Sequence, residues 1–77
     1  MRYLIVIEKT KTGFSAYSPD VLGCVATGRT QSSVQNAMRE ALEFHVEGLL
    51  AYGRRLPRAT AAYAYVKVPV RRVAASA

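Results

Sequence analysis

His45 is the only histidine and Cys24 the only cysteine in the chain. A side-chain nucleophile activated by a base would therefore draw on that pair. His45 falls on the apolar stripe of a helical pattern and reads as a packed or rim residue. Cys24 falls mid-strand and reads as a small buried hydrophobe. A Cys24–His45 dyad stays open on sequence alone. A zinc site needs three or four nitrogen and sulfur ligands, and no second histidine or cysteine supplies them.

The acids are as sparse. There are five, and Glu40, Glu43 and Glu47 are spaced to share one solvated helix face, with Arg39 an i,i+4 partner for Glu43. Glu8 and Asp20 fall on other segments, so the carboxylate cluster of a two-metal nuclease is not expected. Gly23–Gly28 lacks a P-loop lysine and does not open a helix as a dinucleotide fingerprint does. The sequence thus predicts no catalytic residues, no metal and no cofactor, and points to a module that binds rather than reacts.

The basic residues are more numerous. The formal net charge is +6, which admits nucleic acid or an acidic partner. Arg54, Arg55 and Arg58 cluster after the helical pattern, and Arg71 and Arg72 lie in the tail. In a nucleic-acid-binding reading these five would meet phosphates, while Tyr63 or Tyr65 stacked on bases. As solvated loop charges they would bind nothing.

The elements that must position these groups are legible. The chain has 77 residues, 51% hydrophobic and 21% charged, enough for one domain with a modest core. One cysteine permits no internal disulfide, and no apolar run nears the roughly 20 residues of a membrane span. The start is too short and too soon acidic for a signal peptide, so a cytoplasmic protein is expected.

Tyr3–Lys9 reads as a strand, Lys11–Gly13 as a turn with a glycine at positive φ, and Phe14–Tyr17 as the second arm of a hairpin. Pro19 breaks the ladder, Gly23 lets the chain turn, and Cys24–Thr27 forms a third strand. Thr30 is placed to cap a helix over Gln31–Tyr52. Its stripe is Val34, Ala37, Met38, Ala41, Leu42, His45, Leu49 and Tyr52. Gly53 suits the C′ position, and Gly48 suggests close packing against the helix. Ala61–Val68 alternates and reads as a fourth strand. Ala62, Ala64, Val66 and Val68 would face the helix, with Tyr63 and Tyr65 on a half-wet face available to another chain. The predicted fold is α+β, in the order β-β-β-α-β, with one long helix on a small, mainly antiparallel sheet. The predicted domain spans 1–70, and 71–77 form a short basic tail.

The ordered motifs resemble a known family. Tyr17-Ser18-Pro19-Asp20-Val21-Leu22-Gly23-Cys24 matches an aromatic-x-Pro-Asp/Glu-x-x-Gly-Cys turn. Gly28-Arg29-Thr30 leads into a helix containing Asn36-Ala37-Met38-Arg39-Glu40-Ala41-Leu42, and Gly53–Pro57 matches a Gly-x-x-x-Pro exit. From Tyr3 to about Val68 the chain resembles the N-terminal domain of HicB antitoxins. The resemblance implies a partial ribonuclease-H-like fold without the nuclease acids. It also implies binding to a HicA-like, mRNA-cleaving toxin whose active site is covered, and a homodimer or homotetramer. It makes Tyr17, Pro19, Asp20, Glu40, Glu43 and Glu47 the expected partner-binding residues. An orphan oligomeric relative without a toxin is the companion alternative to the nucleic-acid reading. The chain departs from the family pattern at Arg29, where an aspartate is usual, and at Gln31-Ser32-Ser33, where acids are frequent. Pro69–Ala77 is too short for the DNA-binding domain that many such antitoxins carry, which directs the expectation to protein binding.

Overall fold

The computed structural model describes residues 1–71. Three antiparallel strands, β1 (Val6–Lys9), β2 (Phe14–Ser18) and β3 (Val21–Gly28), are followed by one helix, α1 (Gln31–Ala51). The sheet order is β1-β2-β3. This is the expected α+β arrangement through the helix.

Each turn has a local cause. The Thr10 amide donates to the Gly13 carbonyl at 2.8 Å and closes the first hairpin. Gly13 does not take the positive φ expected of it. It is required for another reason: a Cβ there would collide with the Gly28 carbonyl oxygen. The second connection is tighter. Tyr17 pairs with Val25 and Ser18 with Val21, so Leu22, Gly23 and Cys24 are surplus on β3 and form a bulge. Gly23 takes φ 87° within it.

The helix start is set by a reciprocal cap. Thr30 Oγ1 accepts from the Ser33 amide at 3.0 Å, and Ser33 Oγ accepts from the Thr30 amide at 3.1 Å. Ser33 thus fills the place that glutamate or glutamine usually takes in a capping box. Gly53, at φ 68°, ends the helix as expected, and the Arg54 amide returns to the Leu49 carbonyl.

α1 lies mainly over β3, less over β2 and barely over β1. The buried core is correspondingly small: Ala16, Val21, Cys24, Val34 and Met38, edged by Tyr3, Ile5, Ile7, Phe14, Ala26 and Leu42. At about 31 Å, the helix outruns the sheet, and none of its residues after Met38 is fully buried. Gly48 shows the consequence. Among the described residues a Cβ there would meet nothing within 4 Å, so the expected close packing does not occur among them.

The predicted fourth strand is absent from the described residues. Ala61–Val68 pairs with no described strand, and every residue from 62 to 71 is exposed. Val66 is 80% exposed and Val68 68%, so the aliphatic set does not face the helix. The physical reason is the lack of a partner: alternation and β propensity make a strand only where a neighbouring edge accepts its hydrogen bonds. Of the predicted tail, Arg71 is exposed and 72–77 lie outside the described residues.

Candidate functional site

The sheet has one covered face and one open face. Ala16, Ala26 and Ile7 share a register row beneath the helix side, and Ala16 is buried there. The adjacent row is Val6–Tyr17–Val25, running across all three strands. Side chains alternate along a strand, so this row lies on the face that α1 leaves uncovered. Tyr17 is 42% and Val25 68% exposed. Leu22, carried out of the ladder by the bulge, is exposed at the rim. A contiguous apolar patch with one phenol at its centre suits a protein partner better than a polar small molecule.

The other expected contact residues do not join this patch. Pro19 is exposed at the end of the sheet. Asp20, beside it, is occupied within the chain. Its Oδ2 accepts from the Thr60 and Ala61 amides at 3.1 and 2.9 Å, and its Oδ1 accepts from the Thr60 hydroxyl at 3.1 Å. Glu40, Glu43 and Glu47 are exposed on α1, so sheet and helix stand between them and Tyr17. Arg39 donates to Asn36 Oδ1 at 3.3 Å. Arg54, Arg55 and Arg58 are exposed beyond the helix end, and Arg72 lies outside the described residues. Tyr63 and Tyr65 pack edge to face, their ring centroids 6.1 Å apart, and both are exposed. Val25 and Leu22 were missed in the sequence reading. The alternation Cys24–Val25–Ala26 makes Val25 the outward member of β3.

The reactive groups are placed as follows. Cys24 is buried, its thiol pushed up from the usual value by desolvation, and its Sγ donates to the Ala41 carbonyl at 4.0 Å. His45 is half-buried beside Phe44, Gly48, Leu49 and Tyr52. Among the described residues no group of three His, Cys, Asp or Glu side chains is placed to hold a metal ion. Among them, too, no helix is long and apolar enough to cross a membrane.

A three-stranded antiparallel sheet, a Pro-Asp turn tied to the segment after a single capped helix, and an open apolar face define a class, and comparison with known proteins identifies it. Residues 3–72 match the model of the HicB_like antitoxin of bacterial toxin-antitoxin systems, and the chain belongs to that family. A 14.9 kDa protein of the rep-hol intergenic region of Haemophilus phage HP1 is 38% identical over 69 residues, 90% of this chain and 52% of the relative. The UPF0150 protein Ta0767 of Thermoplasma acidophilum is 27% identical over 59 residues, 75% of this chain and 86% of that protein. A chain in the solved HicA3 and HicB3 toxin-antitoxin complex is 40% identical with a TM-score of 0.61, over 71% of this chain and 64% of that one. The chain thus spans about half the length of the phage relative.

Proposed function

We propose that this chain is a non-catalytic antitoxin module that neutralises a HicA-like, mRNA-cleaving toxin by covering its active site. The observation that carries the reading is the apolar row Val6–Tyr17–Val25 on the open sheet face, in a family with a solved relative in a toxin-antitoxin complex. Tyr17 is the central anchor, with Leu22 and Pro19 at the rim. Aromatic residues at the centre of an otherwise flat patch carry a disproportionate share of binding energy. Glu40, Glu43 and Glu47 lie too far round the molecule to share that footprint. They act as the acidic surface that draws in a basic partner. The module works in the cytoplasm, as a homodimer or homotetramer.

Coexpression with the adjacent gene's product tests this. Growth arrest by a small ribonuclease should be relieved by the wild-type chain. Tyr17→Ala should weaken the purified complex about 10- to 100-fold, the loss of one central aromatic anchor, without changing the circular dichroism of the free chain. A chain that neither relieves arrest nor blocks RNA cleavage in vitro refutes the proposal.

A second reading rests on Arg54, Arg55 and Arg58, three exposed cations within five residues. Phosphate contacts of that number would make RNA or DNA affinity fall steeply as salt rises from about 50 to 200 mM. No binding at low salt ends that reading.

A further inference from the structure

We infer that residues 62–70 are an exchange arm, received by a second copy of this chain along the free outer edge of its β1 strand.

Four observations converge. First, the arm is built as a strand and has no ladder. Ala62, Ala64, Val66, Val68 and Val70 alternate with Tyr63, Tyr65, Lys67 and Pro69. Tyr63 and Tyr65, two residues apart, meet edge to face as same-side residues of an extended chain do. Yet Tyr63, Tyr65, Val66, Val68 and Val70 are all 68% exposed or more. So much contiguous apolar surface is unusual on a monomer of this size.

Second, the arm stands away from the body. The radius of gyration is 17.2 Å and the longest extent 62 Å, whereas a compact chain of this length has a radius of about 11–12 Å.

Third, each copy offers a receptor. Among the described residues no strand pairs with the outer edge of β1, and its N–H and C=O groups there are a ready template for another strand. Between the segment that leads into β1 and the helix lies a cleft of about 1140 Å³ lined by Tyr3, Ile5, Leu42, Val46 and Leu56, with Ala62 at the arm's root on its wall. It exists because α1 barely covers β1. The aliphatic side of a strand laid on β1 would fill it.

Fourth, the root of the arm is fixed. Tyr3 donates from its hydroxyl to the Pro57 carbonyl at 2.7 Å, and Asp20 holds Thr60 and Ala61. The arm therefore leaves from a defined point at the end of the sheet where β1 begins. Fixed roots, free strands and free edges on identical chains make a two-fold reciprocal exchange. Nine residues is the length of a full strand. Two such strands and their clefts are of the order of the roughly 1,600 Å² of a standard interface.

The inference does not depend on the toxin reading, and its test involves no toxin. Sedimentation equilibrium of the full chain should give twice the 8.4 kDa of one copy. Lysines in place of two exposed valines, Val66→Lys with Val68→Lys, should return the mass to one copy while the helical circular dichroism stays. In a dimer mixed from isotope-labelled and unlabelled chains, isotope-filtered NOEs should join residues 62–70 of one copy to Tyr3–Lys9 of the other. A one-copy mass for the wild type overturns the inference. So does a dimer that survives both lysines, an arm whose NOEs to β1 arise within one chain, or arms that touch only each other.

Discussion

The stretch from Val6 to Ala51 and the stretch from Ala62 to Arg71 are made of similar residues and behave oppositely. The first closes two hairpin ladders and places Met38 and Val34 at 0% exposure. The second, richer in valine and tyrosine, buries nothing. The difference lies in available neighbours and not in propensity. β1, β2 and β3 are joined by short turns that present each strand to the next. The arm follows a helix and a loop docked at the end of the sheet, and among the described residues no strand pairs with it. A strand is a relation between two segments, and the arm has one side of it.

That contrast can be broken at three points. Met38→Ala should have the largest effect, because it empties the centre of a small core. A loss of about 2–5 kcal/mol is expected, read by urea denaturation, and against a modest starting stability it could leave the chain unfolded. The same truncation at Val66 should leave the unfolding free energy of the body unchanged when the chain is dilute. A body that tolerates Met38→Ala would remove the distinction between the two stretches.

Asp20→Ala should cost less, about 1–2 kcal/mol, since its three hydrogen bonds are partly exposed. Its more specific signature is faster hydrogen exchange at the Thr60 and Ala61 amides, with the exchange of α1 amides little altered. Uniformly faster exchange would show that the arm's root and the body open together.

Gly48→Ala should be the smallest change and of opposite sign, a gain of about 0.5–1 kcal/mol. An added methyl meets nothing nearby, and alanine is the better helix former. A loss instead would mean that the overhanging end of α1 is packed against another chain.

The elements legible in the sequence were those with local causes. Thr30, Gly53 and Pro19 act on residues within five positions of themselves, and the helix stripe through Val34 and Met38 is periodic. β3 was read four residues short because the bulge at Leu22–Cys24 interrupts the period-two pattern on which strand assignment rests. Asp20 was picked out by motif as a contact residue. Nothing near it in sequence announces hydrogen bonds to residues 40 and 41 positions away. The open face was half legible. Tyr17 stood out by type and motif, whereas Val25 needed the register of three strands to become its neighbour. The pattern of the fourth strand is genuine, but among the described residues it is not paired with the open edge of β1.

The two ties at the root of the arm also set an order in time. The Tyr3–Pro57 and Asp20–Thr60 bonds close loops of 54 and 40 residues, whereas the hairpins and the helix close over a few. Loop closure is entropically dearer the longer the loop, and non-local contacts form late. In folding, the body assembles first from its local contacts, and the root docks onto a sheet already made. By the same logic it is the part that detaches at least cost to the rest. A chain meeting its partner would then fold its last strand on the partner's surface, so that assembly becomes the final step of folding.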